Sequence, residues 1–147
     1  MAGGDITGFT WATPSCPEYG KGNGCTTQDL QTLKANVASH GPASICVNAE
    51  SWHDYTGGVM TEKTCRRMNY PSMDHCVQLV GYSPTYWIVR NSWGRDFGID
   101  GYIHLDVGEN TCGVADYAAY FNIGRKQGNL SRTTAGAPAT MLARPSI

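Results

Sequence analysis

Two strings constrain the fold of this chain more than anything else in it: Met73-Asp74-His75-Cys76-Val77-Gln78-Leu79-Val80-Gly81-Tyr82, then Tyr86-Trp87-Ile88-Val89-Arg90-Asn91-Ser92-Trp93-Gly94. In the first, His75, Val77 and Leu79 fall on one side of an alternating pattern, the period of a half-buried strand. Gly81 and the Ser83-Pro84 pair then turn the chain, and a second apolar run follows at once. Strands joined by so short a connection are expected to pair as an antiparallel hairpin. The pairing would set His75, at the start of one strand, beside Asn91, at the end of the other. A histidine oriented by a neighbouring amide is the outline of a catalytic base.

The string Asp74-His75 opening a strand that ends Gly81-Tyr82, followed by Asn91-Ser92-Trp93-Gly94 and Gly101-Tyr102-Ile103, resembles the papain and cathepsin family of cysteine peptidases. The resemblance extends in order from about Ile6 to Tyr120. It includes Gly41-Pro42-Ala43-Ser44-Ile45, Tyr55-Thr56-Gly57-Gly58-Val59 and Thr111-Cys112-Gly113-Val114-Ala115. All these pieces belong to the C-terminal half of the family's fold. The family's Cys-Gly-Ser-Cys-Trp setting for the nucleophile, and the oxyanion-hole glutamine upstream of it, have no counterpart string here. The resemblance implies an α+β domain, an antiparallel barrel-like sheet with one main helix, over residues 1–121, followed by a basic tail rich in Gly, Ala, Pro and Thr over 122–147.

The resemblance also assigns roles. His75 is the base that activates a thiol and protonates the leaving amine, Asn91 orients its imidazole, and Trp93 shields their hydrogen bond from water, keeping the local dielectric low. Taken alone, His75 would be read as a core histidine satisfied by Asn91 for packing. With Asp74, Asn91 and Trp93 all in family register, inherited catalytic geometry is the expectation. Met73, Cys46, Cys76 and Tyr117 fall where the family lines its specificity pocket, with Tyr117 at the floor, where its bulk would fill much of the space. Cys46 and Cys76 are read either as small buried apolar side chains or as a bridge. The family ties the loop ahead of the His75 strand to the turn after Asn110, which implies a Cys65–Cys112 disulfide; Cys16 with Cys25 is the second pairing expected.

No cysteine here is a ready substitute for the nucleophile. Strand alternation sends Cys76 to the face opposite His75. Cys25 precedes a helix start, where a thiol pKa can fall, but its Thr-rich surroundings are unlike the family's active-site helix. Six cysteines in 147 residues fit an oxidising compartment, lysosomal, secreted or lumenal, and by count alone permit 15 pairings.

The rest of the chain bounds the function classes. No apolar run approaches the roughly 20 residues of a membrane-spanning helix, and residues 1–5 do not read as a signal sequence. His40 ends a helix where the dipole favours it, while His53 and His104 lack ligand-like companions, so neither a metal nor any other cofactor is expected. No phosphate-binding glycine loop follows a strand, and no aromatic residues interleave the basic tail, which leaves nucleic-acid binding unsupported. The net charge of −1 divides into +4 after Tyr120, from Arg125, Lys126, Arg132 and Arg144, and −5 before it. Such a tail suits an acidic partner surface, with a protein partner on the His75/Trp93 face.

Along the chain, residues 1–24 read as an arm or loop from their Gly, Pro, Thr and Ser content. A helix is expected over Gln28–Ser39, capped at Thr26 or Thr27, with Leu30, Leu33, Val37 and Ala38 facing a sheet. Strands are expected at 43–49, 102–107 and 114–120, a helical turn at 50–55 carrying Trp52 inward, and a surface loop at 61–72.

Overall fold

The computed structural model describes residues 4–14, 28–65 and 73–124. Its centre is the expected hairpin, β4 (His75–Tyr82) with β5 (Tyr86–Arg90), joined through Ser83, whose Oγ accepts the Thr85 and Tyr86 amides at 3.2 and 3.0 Å. The pair is antiparallel, with Gln78 opposite Arg90 and Tyr82 opposite Trp87 and an irregularity between Leu79 and Gly81. Around it lie β1 (Asp5–Trp11), β2 (Ala43–Val47), β3 (Val59–Met60), β6 (Tyr102–Asp106) and β7 (Tyr117–Gly124). One seven-stranded sheet results, in the order β1-β7-β2-β4-β5-β6-β3, antiparallel throughout except where β3 runs parallel to β6.

The core follows from the alternation. Ile45 and Val47, Val77 and Leu79, Trp87 and Val89, Ile103 and Leu105 point the same way from successive strands and are buried. Leu33 and Val37, one turn apart on α1 (Leu30–His40), cover that face, while Leu30 is only partly buried and Ala38 is exposed. Each large side chain removed from water in this way stabilises the fold by about 1.5 to 3 kcal/mol.

Four local expectations are corrected. The cap of α1 is Asp29 rather than Thr26 or Thr27: its carboxylate accepts the Gln31 and Thr32 amides at 2.9 and 3.0 Å and the Thr32 hydroxyl at 2.6 Å. Those bonds, the Thr32 hydroxyl foremost, hold the Asp29 carboxyl below its ordinary pKa. Second, Asp5–Trp11 is a strand, not an arm, because β-branched and aromatic residues outweigh the single Gly8, and β7 pairs with it along its length, with an irregularity between Ile6 and Gly8. Third, β7 begins at Tyr117 and runs on to Gly124, beyond the expected end, for the same reason. Fourth, the loop expected from Thr61 contains a one-turn helix, α2 (Glu62–Cys65), closed by reciprocal Thr61 and Thr64 hydrogen bonds. The 3-10 turn at Glu50–Trp52 does carry Trp52 inward, to full burial. Gly41 ends α1 with φ 89°, its amide donating to Val37 O at 3.1 Å.

Candidate active site

The hairpin brings His75 to Asn91. His75 Nε2 lies 2.8 Å from Asn91 Oδ1. The same oxygen accepts the Ser92 amide at 2.7 Å, so the amide must present oxygen, not nitrogen, to the imidazole. An acceptor there makes Nε2 the protonated nitrogen and leaves Nδ1 with its lone pair in the neutral ring. Both residues are anchored through the backbone as well. The Asn91 amide donates to Gly101 O at 2.9 Å, and Asp74, just before His75, ties β4 to β2: its amide donates to Val47 O and its carboxylate accepts the Ala49 amide at 2.7 Å. Asn91 is buried, and its Nδ2 has no partner among the described residues.

Trp93 stacks on the His75 ring, with centroids 5.1 Å apart and 28° between planes. It is nonetheless 38% exposed. Beneath the dyad, buried Trp52 meets the His75 ring edge-on at 6.2 Å, and its Nε1 donates to Cys112 Sγ at 3.4 Å. Cys112 is bridged to Cys65, so the disulfide clamps the turn that carries Trp52. The loop returning from Trp93 is close-packed at Gly98, where a Cβ would come within 2.5 Å of Tyr102 O and 2.7 Å of the Tyr55 ring. His53, set aside on sequence grounds, stacks on Trp93 at 4.9 Å; its place directly after the inward Trp52 was the available signal.

The residues expected to line a pocket form a row across the outer face of the sheet. Cys46 sits opposite Tyr117 on one side and opposite Cys76 on the other. Cys46 and Cys76 are bridged, Cα atoms 4.0 Å apart, and Cys76 is exposed, so these are not small buried side chains. Directly opposed cysteines on one face of a strand pair bring their Cβ atoms within bridging reach. The Tyr117 ring is 40% exposed and packs edge-on against Trp11 at 4.6 Å. Met73 is half-buried at the entry to β4. Two concavities of nearly equal volume flank this region: one of about 580 Å³ against Glu50, Asp54, Tyr55, Met60 and Cys65, and one of about 570 Å³ against Asn91, Ser92, Gly94 and Arg95. Cys16, Cys25 and the four basic tail residues lie outside the described residues.

Among the described residues no three His, Cys, Asp or Glu are grouped to hold a metal, and no helix is long and apolar enough to cross a membrane. Burial holds the His104 imidazole below its ordinary pKa and raises that of the Tyr55 phenol, whose oxygen accepts the His104 amide at 3.2 Å.

Comparison with known proteins matches residues 14–122 to the family of papain family cysteine proteases. A cysteine proteinase of Trypanosoma brucei brucei is 44% identical over 89 residues, 58% of this chain and 19% of that protein. Cathepsin O of Homo sapiens is 42% identical over 93 residues, 60% of this chain and 27% of that protein. Among solved structures, digestive procathepsin L 3 of the Tenebrio molitor larval midgut superposes with a TM-score of 0.55 at 30% identity, covering 63% of this chain and 32% of that one. The chain therefore spans less than a third of the length of these relatives.

Proposed function

The chain belongs to the papain family of cysteine proteases, and from that premise we propose that it supplies the His75/Asn91 side of a peptide-hydrolysing site and needs a thiolate and oxyanion donors from another polypeptide segment. The observation that carries this reading is the 2.8 Å contact of His75 Nε2 with Asn91 Oδ1, which leaves Nδ1 to take a thiol proton. His75 is then base and later acid, Asn91 holds the ring, and Trp93 keeps water from the bond. The unpartnered Asn91 Nδ2 supports the same view. A buried orphan donor costs about 1 to 3 kcal/mol, so the amide is poorly accounted for by stability alone.

In this reading residues 1–121 form the catalytic half-domain, and the segment 122–147 is an extension whose first three residues pair with β1. Arg125, Lys126, Arg132 and Arg144 would lie along an acidic surface of the partner that covers His75 and Trp93. Mixed with the cysteine-bearing half of a papain-family relative, the chain is expected to bury Trp93, lowering its collisional quenching by acrylamide about severalfold, as burial of an apolar cleft face demands. Unchanged quenching in a complex that forms elsewhere would remove the proposed face.

One feature favours a second reading. The Cys46–Cys76 bridge and the Tyr117 ring occupy the proposed pocket row, which suits a non-catalytic pseudo-peptidase, an accessory subunit that uses the old cleft face for docking. Turnover after reconstitution separates the two.

A further inference from the structure

We infer that His53 is a positioning residue for the dyad, acting through the indole of Trp93; the inference rests on the proposed roles of His75 and Asn91. Trp93 shields those residues only while its ring stays flat against His75, yet it sits on a loop and is 38% exposed. Its neighbours divide by geometry. Trp52 and Phe97 meet it steeply, at 67° and 83°, with centroids 6.4 and 5.1 Å away, and so limit sliding of the ring. Among the described residues the rings stacked on it are two imidazoles: His75 itself and His53, at 4.9 Å and 9° between planes. Of the two, His53 lies the more nearly parallel to the indole, and so acts on the orientation of its plane.

His53 is well placed to do this because its own backbone is held at both ends. Trp52 before it is fully buried, with its amide on Ala49 O at 2.9 Å and its indole on Cys112 Sγ. Tyr55 after it is buried, with its amide on Trp52 O at 3.0 Å and its hydroxyl on Gly58 O at 2.6 Å. The side chain of His53 is exposed and adds nothing to the core. An exposed ring on so fixed a turn, lying almost parallel to the shielding indole, is accounted for by what it does to that indole. Stacking needs a flat ring and no particular charge, so a phenyl group should replace the imidazole.

The test is exchange of the His75 Nε2 proton with water, followed by NMR on the ¹⁵N-labelled chain. The proton is expected to exchange slowly in the wild type, about three- to tenfold faster in His53→Ala, the span expected for loss of one aromatic pair, and at the wild-type rate in His53→Phe. The Trp52 indole N–H should be unmoved in both variants. Three results overturn the inference: an unchanged rate in His53→Ala, failure of His53→Phe to restore it, or a parallel change at Trp52, which would mean that the whole turn has loosened. A wild-type His75 proton that exchanges fast and ignores Asn91→Ala would instead remove the dyad itself, and the role of His53 with it.

Discussion

Purified by itself and supplied with thiol, the 147-residue chain is expected to leave fluorogenic dipeptide amides uncut. The dyad can polarise a thiol, but no described cysteine can present one to it: Cys46, Cys65, Cys76 and Cys112 are all bridged. Cys76, the nearest in sequence, points to the other face of β4. Loss of the nucleophile from a comparable triad removes on the order of a millionfold in turnover, which takes peptide hydrolysis below detection. With thiolate and oxyanion donors both coming from another segment, as proposed, the base of the isolated chain would activate only water. Turnover that survives purification and disappears in Cys25→Ala would overturn this expectation and make Cys25 the nucleophile.

The second large effect concerns stability. Replacing both Cys65 and Cys112 by Ser is expected to destabilise the domain by about 4 kcal/mol, the chain-entropy cost of reopening a loop of this length, the two cysteines being 47 residues apart. Urea unfolding followed by far-ultraviolet circular dichroism measures it. The loss reaches the site, because this bridge fixes the sulfur that accepts the Trp52 indole N–H, and Trp52 lies against His75. The double Ser variant should thus also loosen the His75 proton before the domain unfolds. The same substitution at Cys46 and Cys76 reopens a shorter loop, the cysteines being 30 residues apart, on the outer face of β2 and β4, and should leave Trp52 undisturbed. Equal destabilisation with no change at Trp52 in both cases would show that the buried bridge has no special link to the dyad.

The hairpin and the dyad were legible in the sequence for one physical reason. A two-residue period fixes which side chains share a face, and a short turn fixes which residues meet across it. These bring His75 near Asn91; the roles proposed for the two rest on the family resemblance as well. Pairings between distant segments leave no such local signal. Asp5–Trp11 looked like an arm because its ladder partner, β7, lies more than a hundred residues away, as the pairing of Ile6 with Ile123 illustrates. The register that opposes Cys46 to Cys76 is likewise a property of β2 lying beside β4, so the two cysteines remained ambiguous until the sheet order was known. Asp29 lost to Thr26 and Thr27 in the reading of the cap because neighbouring polar residues compete for the same role, and only the dihedral angles at the helix start choose among them. His53 was overlooked because it was judged as a metal ligand; its partner is a ring forty positions away.

The central claim, that this chain carries a competent His/Asn half of a cysteine peptidase site, is tested most directly by reconstitution. The chain would be co-expressed with the cysteine-bearing half of a papain-family relative, the complex isolated, and hydrolysis of a fluorogenic dipeptide amide measured with and without thiol. The account predicts thiol-dependent turnover that falls by about 100- to 10,000-fold in His75→Ala, the contribution of a general acid and base, and falls as well in Asn91→Ala. A complex that buries Trp93 yet hydrolyses nothing, or one whose turnover is indifferent to His75→Ala, would contradict it.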